Sequence, residues 1–359
     1  MTKITKLTAM SDISVRDLRE AKRKWSERLL LPSAAAVTTA EGLTRRTGAH
    51  ALAVRAAAPR RDPNIVGVGV AEKTVDGKPT GVLAVKFFVK TKYPKGAVAS
   101  GAAVPKNIDG MPTDVEQAGT FRAFRRARRA AAFDATMPNP RVRMRPAQPG
   151  CSIGFRIAGD HFVMGGTFGA LVKTRSKVYI LSNNHVLADE NRLPIGSPIF
   201  QPALLDHGHI DSDQIAELTR FGRLKANRFN KIDAALAKPL NRNLVSNEVL
   251  HIGAPNGTVD AAIDMMVHKF GRTTSYTVGR IVSVDTDVVI EYETGNFTFE
   301  NQIIIQGSNG EMFSDHGDSG SLILQRGSNA AVGLLFGGGP DHTIANHIGN
   351  VLRSLRVKI

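Results

Sequence analysis

Apolar residues recur at helical spacing near the start of the chain, and in most of the later sequence they form short strand-like runs, with a strand and a short helix expected in the terminal TIANHIGNVLRSLRVKI. The first segment has Ser14 in position to cap a helix and Pro32 in position to end it. Its apolar positions are Val15, Leu18, Trp25 and Leu29. This pattern predicts a helix from Ser14 to about Leu30. Its other face carries Arg16, Arg19, Lys22, Arg23 and Lys24, which indicates a solvated face or, less favoured, a contact for an acidic surface.

The pattern changes to alternating strands after residue 61. The stretch NIVGVGVAEKTVDGKPTGVLAVKFFVK holds two valine-rich runs separated by a turn sequence, which predicts a β-hairpin. A third run follows around IDGMPTDVEQAG. We interpret residues 1–61 as a basic helix and linker and residues 62–120 as a small α/β or β-hairpin module without a catalytic constellation.

Residues 121–149 combine an arginine-rich stretch with a proline-rich one. FRAFRRARRAAAF favours a helix, whereas MPNPRVRMRPAQPG is incompatible with regular structure. A surface helix is the favoured interpretation of the first stretch. An interdomain linker and a nucleic-acid contact are the alternatives.

Short strands with glycine and proline turns dominate from residue 150 onward. Runs such as KVYILSNNHV, VGRIVSVD, NQIIIQ and AVGLLFGGG are not separated by long helices. This pattern of short strands separated by turns predicts a mainly β domain, either a barrel or a sandwich, over residues 150–359.

The net charge of +15 is unevenly distributed. Residues 1–150 hold 28 Lys and Arg against 12 Asp and Glu, and residues 151–359 hold 19 against 20. A basic N-terminal region is therefore attached to a neutral domain, which leaves nucleic-acid binding open without favouring it.

No apolar run is long enough to span a membrane, and no secretory signal is evident, so we expect a cytoplasmic protein. The single cysteine, Cys151, agrees with a reducing compartment.

Three short motifs are candidates for catalytic chemistry. Small residues surround Ser319 in GDSGS, which is typical of a turn that exposes a hydroxyl, and a serine nucleophile needs a base and an orienting acid. His185 follows a hydrophobic strand in YILSNNHV. Asp233, in KIDAALAKP, is the one intervening aspartate followed by a continuous apolar run, and a carboxylate buried there requires a partner.

These motifs, in the order His, Asp, Ser, resemble those of the trypsin-like (chymotrypsin-fold) serine peptidases. VHKFGRTTSYTVGRIVSVD further resembles a hairpin of the bacterial streptogrisin and glutamyl-endopeptidase branch. The resemblance covers residues 150–359 and implies a chymotrypsin-like double β-barrel, with barrels at about 150–250 and 251–359. It implies a serine endopeptidase acting on proteins or peptides through an acyl-enzyme, without metal or cofactor. An inactive peptidase-fold binding protein and a nucleic-acid-associated protein are the alternatives.

The resemblance also implies individual roles. Ser319 would be the nucleophile, His185 the general base, Asp233 its orienter, and the N–H groups of Gly317 and Ser319 the oxyanion hole. The implied substrate pocket comprises Phe313, Ser314, Phe336, Gly337 and Gly338, with an apolar base.

The sequence departs from the family pattern at three positions. Ser321 and the pair Asn183 and Asn184 replace the family's usual small residues. No N-terminal sequence near residue 150 is suited to pair with Asp318 after a cleavage, so we expect Asp318 to be satisfied internally. The oligomeric state is not predictable.

Overall fold

The computed structural model describes residues 14–32, 62–98, 103–123, 136–157 and 163–359. Within these ranges the α-helices are α1 (Val15–Leu30), α2 (Asn184–Leu187) and α3 (Ile348–Leu355). The strands of the N-terminal part are β1 (Ile65–Val75), β2 (Lys78–Val89), β3 (Asn107–Ile108) and β4 (Met111–Gln117). The next strands are β5 (Ser152–Phe155), β6 (Gly166–Thr167), β7 (Ala170–Lys173), β8 (Val178–Ser182), β9 (Pro198–Phe200), β10 (Gln214–Phe221), β11 (Phe229–Asn230) and β12 (Ala235–Pro239). The last are β13 (Met266–Gly271), β14 (Ser275–Tyr292), β15 (Gly295–Gly307), β16 (Leu322–Gln325), β17 (Ala331–Gly338) and β18 (Thr343–His347).

The strands form two curled sheets that resemble a double β-barrel. The first sheet has the order β6-β5-β9-β10-β12-β8-β7, and the second has the order β11-β15-β18-β17-β16-β13-β14-β1-β2-β4-β3. The mainly β fold expected from the sequence is therefore confirmed. Apolar side chains of both sheets, among them Leu181 and Leu334, and of α3 share one buried cluster, so the sheets pack against each other.

The predicted hairpin over residues 65–89 is present, and it extends the second sheet instead of standing apart. β1 pairs antiparallel with β2 on one side and with β14 on the other. Gly69 lies opposite Thr286, and a Cβ at Gly69 would overlap the threonine side chain. The glycines of VGVGV thus allow β14 to approach β1 closely.

Helix α1 packs on this combined sheet, as its apolar stripe predicts. Ser14 caps it by accepting a hydrogen bond from Arg16 N at 3.0 Å, and Leu18 and Leu30 are fully buried. The solvated interpretation of the basic face is wrong for Lys22, which is 6% exposed. Its ammonium contacts Asp285 and Asp287 of β14 at 2.8 and 2.6 Å, because burial of a charge requires a partner.

The segment after β4 also differs from its prediction. Phe121, Arg122 and Ala123 are not helical, and Arg122 forms β-bridges with Glu291 and Gly338, so the expected helix does not begin at residue 121. The remainder of the arginine-rich stretch, residues 124–135, lies outside the described residues.

The proline-rich segment over residues 136–149 is irregular, as expected, and is packed against the first sheet and its loops. Arg143 Nε lies 2.7 Å from Asp213 Oδ1. Ala147 is fully buried and its N–H donates to the Leu244 carbonyl at 2.7 Å.

Candidate active site

His185 and Asp233 lie side by side because two strands of the first sheet pair. β8 ends at Ser182, which pairs with Ala235 at the start of β12. His185 follows on α2, and Asp233 lies two residues before β12. His185 Nδ1 lies 2.5 Å from Asp233 Oδ2, and both side chains are fully buried. The carboxylate can therefore hold the imidazole in one orientation.

Further hydrogen bonds compensate the burial of the Asp233 carboxylate. Asp233 Oδ1 accepts from the N–H of Asn184 at 2.6 Å, and Oδ2 accepts from the Tyr292 hydroxyl at 2.7 Å. Burial, reinforced by the Asp233 charge, raises the pKa of Tyr292 well above its ordinary value. The Tyr292 ring also makes an edge contact with His185, with ring centroids 5.8 Å apart.

The asparagines before His185 support the loop. Asn183 Nδ2 donates to the Asp233 carbonyl at 2.8 Å, and Asn184 Nδ2 donates to Gly222 O at 2.7 Å. On the other side, Asp233 N donates to Asn346 Oδ1 at 2.9 Å. The two substitutions that depart from the family pattern thus help to fix the segment that carries His185.

Ser319 lies in the turn before β16, against the first sheet. Its carbonyl accepts a hydrogen bond from Thr167 N at 2.8 Å. Gly166 separates this carbonyl from Val186, the neighbour of His185, and a Cβ on Gly166 would contact both. The serine turn and the histidine helix therefore face the same junction between the sheets.

The two atoms that would exchange a proton are both buried. Ser319 Oγ and His185 Nε2 have no hydrogen-bond partner among the described residues, and the hydrogen bond between them is not formed. Within the described part of the chain, the backbone N–H groups of Gly317 and Ser319 also donate no hydrogen bond. Gly317 has φ +96°, and a Cβ there would overlap Thr273 and Arg272, so the turn requires glycine.

Asp318 is satisfied by internal partners, as the sequence led us to expect. Its carboxylate accepts from Thr273 N at 2.8 Å, from Thr274 Oγ1 at 2.6 Å and from Asp315 N at 3.0 Å. The ammonium of Lys269, also fully buried, lies 3.4 Å from Asp318 Oδ2. Burial lowers the pKa of Lys269, and Asp318 opposes that shift.

The residues of the implied pocket do not all line one cavity. Phe313 and Ser314 line a cavity of about 230 Å³ together with Gly339, His342 and Thr343. Phe336 instead packs in the core, 4.8 Å between ring centroids from Phe299. Gly337 and Gly338 belong to β17 and lie next to Arg122.

Sequence reasoning missed Tyr292, Asn346 and the role of Lys269. Each reaches the site from a strand of the second sheet, and only the pairing of distant strands brings it there. A weak signal existed for Lys269 alone, since a lysine within the apolar VHKFG run calls for a buried partner.

Other titratable groups near the site are held by internal partners or are deeply buried. No group of three or more His, Cys, Asp or Glu suited to a metal occurs among the described residues. Asp206 is engaged by the Arg272 guanidinium at 2.5 Å. Burial raises the pKa of the Cys151 thiol to about 12, which makes it a poor nucleophile.

The chain is similar in fold to bacterial serine proteases of the chymotrypsin type. A glutamic acid-specific serine protease that uses a histidine triad in substrate binding matches with a TM-score of 0.42 at 16% identity, over 59% of this chain and 99% of that one. Thermobifida fusca protease A matches with a TM-score of 0.41 at 17% identity, over 58% of this chain and 96% of that one. Nocardiopsis protease matches with a TM-score of 0.41 at 16% identity, over 59% of this chain and 98% of that one.

These values concern the fold and assign neither an activity nor residue roles. No protein-family model matches the chain, and no curated protein matches it. Among the described residues, no helix is long and apolar enough to cross a membrane.

Proposed function

We propose that the protein is a serine endopeptidase that cleaves peptide bonds through an acyl-enzyme on Ser319. The observation that carries this proposal is the 2.5 Å contact of His185 Nδ1 with Asp233 Oδ2, at the junction that also receives the Ser319 turn. An imidazole oriented by a buried carboxylate beside a serine in a glycine turn is suited to general-base catalysis.

In the proposed reaction, His185 Nε2 removes the proton of Ser319 Oγ as the oxygen attacks the substrate carbonyl. The negative charge that develops on the carbonyl oxygen is stabilised by the N–H groups of Gly317 and Ser319, which have no protein acceptor in the described chain. His185 then gives the proton to the leaving amine, and the acyl group remains on Ser319. Water activated by the same imidazole hydrolyses the ester and restores the free serine.

Asp233 acts through His185 in this scheme. It keeps the Nδ1 proton in place, so that Nε2 is the free base, and its charge stabilises the imidazolium. Tyr292 and the N–H of Asn184 fix the carboxylate in turn. We assign these two residues a positioning role.

A fluorophosphonate probe tests the proposal directly. We expect one adduct on the wild type by intact mass and none on Ser319→Ala, and peptide mapping should locate the adduct on Ser319. Ser321→Ala is the matched control, because Ser321 is also buried in the same turn but its hydroxyl is bonded to the Asp318 carbonyl at 2.6 Å. The proposal is refuted if correctly folded protein remains unlabelled, including in the variants of the following subsection, or if the adduct persists on Ser319→Ala.

Cleavage itself requires a second measurement. Wild type incubated with a denatured protein should yield new peptide termini by mass spectrometry, and Ser319→Ala and His185→Ala should not. Labelling without any cleavage would leave an activated serine whose substrate is not a peptide, and would contradict the endopeptidase assignment.

A further inference from the structure

Strand β17 offers a backbone edge beside Ser319. Leu335 exchanges hydrogen bonds with the neighbours of Ser319: its carbonyl accepts from Gly320 N at 2.9 Å, and its N–H donates to Ser321 O at 3.0 Å. β16 begins at Leu322, so from Phe336 onward this side of β17 extends beyond its β16 partner. The opposite side of β17 remains paired with β18. A strand edge of this kind, when it is unoccupied, binds extended peptides by adding a strand.

The protein's own residue Arg122 fills that edge. Arg122 N donates to the Gly338 carbonyl at 2.8 Å, and Gly338 N donates to the Arg122 carbonyl at 3.0 Å. The bridge is antiparallel, so the chain from Phe121 to Ala123 runs toward the Leu335 end of β17 and hence toward Ser319. Gly338 is three residues beyond Leu335, which corresponds to about 10 Å along a strand.

Residues around Arg122 are anchored on the other side as well. The Phe121 carbonyl accepts from Glu291 N at 2.9 Å, and Ala123 N donates to Glu291 O at 3.0 Å. The Phe121 side chain is fully buried, 6.3 Å between ring centroids from both Phe88 and His342. The segment is therefore held between β17 and β14.

The glycines of β17 at positions 337 and 338 allow another backbone to approach closely. A Cβ added to Gly337 would lie 2.8 Å from the Arg122 carbonyl oxygen, so glycine leaves room for the added strand. Ser319 Oγ and His185 Nε2 are shielded from solvent in the same structure. A substrate needs both a free edge and access to these atoms.

We propose that residues 121–123 act as an intramolecular ligand of the peptide-binding edge at Phe336–Gly338 and compete there with substrate. The proposal rests on the proposed function, since the edge is expected to bind a substrate peptide only if Ser319 is the nucleophile. The ligand class is an extended peptide that exchanges a pair of backbone hydrogen bonds with Gly338. A substrate peptide must therefore displace this segment, so the wild type reacts more slowly than a protein in which the segment is released.

The test compares variants that release the segment with one that does not. Arg122→Pro removes the N–H that bonds Gly338, and Phe121→Ala removes the buried anchor. Arg122→Ala is the matched control, because it keeps the backbone pairing and loses only an exposed ion pair with Glu291. Far-ultraviolet circular dichroism and thermal melting establish that each variant folds.

The probe is a diphenyl phosphonate on the peptide Thr-Phe-Arg-Ala-Phe, which repeats residues 120–124 of this chain. We expect Arg122→Pro and Phe121→Ala to react with it about tenfold faster than wild type, because a bound segment that loses a backbone hydrogen bond or its anchor is displaced more easily. Arg122→Ala should stay within about twofold of wild type, since exposed ion pairs contribute little. Equal rates in wild type and both releasing variants overturn the inference.

A binding measurement separates this inference from the proposed function. In a Ser319→Ala background, fluorescein-labelled Thr-Phe-Arg-Ala-Phe should bind the Arg122→Pro protein and not the parent, as judged by fluorescence anisotropy. Binding to neither protein, or equally to both, overturns the inference. If a small fluorophosphonate labels no variant while the peptide binds only the released protein, the peptidase assignment fails and the occupied edge stands.

Discussion

Replacing Lys269 with methionine should destabilise the protein and damage the candidate site together. The change leaves the Asp318 carboxylate fully buried, with hydrogen bonds from Thr273, Thr274 and Asp315 but without its cation. Removal of one partner of a buried ion pair costs about 3–5 kcal/mol, and the remaining hydrogen bonds favour the lower end. For a β domain of ~200 residues, about 3 kcal/mol corresponds to a fall in Tm of about 6–12 °C.

The assay combines thermal melting with fluorophosphonate labelling. Asp318 adjoins Ser319, so an unbalanced carboxylate should slow labelling even at temperatures where Lys269→Met is folded. The double variant with Asp318→Asn removes both charges and should recover part of the lost Tm. Lys238→Met, at an exposed position of β12, controls for the substitution itself. A Lys269→Met protein that melts and reacts like wild type, or a double variant less stable than the single one, would refute this reasoning.

Three further predictions concern groups around the site. Tyr292→Phe removes a hydrogen bond to the Asp233 carboxylate and should cost about 1.5–3 kcal/mol in unfolding free energy, and it should slow labelling of the serine; unchanged denaturant unfolding would contradict this. Burial alone would raise the pKa of Glu116, but His342 and Lys86 outweigh it and lower the pKa to about 2 from 4.5. The ionised Glu116 therefore contributes fully to stability above pH 4.5, and this contribution is lost as the pH falls toward 2. Between these two pH values the unfolding free energy measured in urea should fall by about 3 kcal/mol less in Glu116→Gln than in the wild type. The buried thiol of Cys151 should resist iodoacetamide at pH 8 in the native protein and react after unfolding, and rapid native alkylation would contradict its raised pKa.

The sequence predicted those features that depend on local pattern. The helix over residues 15–30, the hairpin of β1 and β2, and the strand ahead of His185 each follow from spacing or turn residues within one short stretch. The contact between His185 and Asp233 required one further idea, that a buried carboxylate needs a partner. The roles of Ser319 and Gly317 in catalysis remain predictions that the labelling experiment decides.

Features that depend on strand register were not predictable in this way. Tyr292 reaches Asp233 because β14 continues for 18 residues from the second sheet toward the first. No residue pattern near Tyr292 in the sequence indicates that this strand is long enough to reach the candidate site. The pairing of β1 with β14 likewise depends on side-chain fit between segments more than two hundred residues apart, and a hairpin that reads as a separate module thus becomes part of the second sheet.

Internal ion pairs change how the basic charge of the N-terminal region is interpreted. The N-terminal region carries an excess of lysine and arginine, but several of these side chains face carboxylates of the same protein. Lys22 contacts Asp285 and Asp287, and Lys86 lies 2.7 Å from Glu116, with both ammonium groups buried. Charges held in such pairs release no counterions from a polyanion and add nothing to its binding. These two lysines are therefore not part of a basic surface available to nucleic acid. The ion pairs of Lys22 are better explained as contacts that fasten α1 to β14, and the pair of Lys86 with Glu116 as a contact that links β2 to β4.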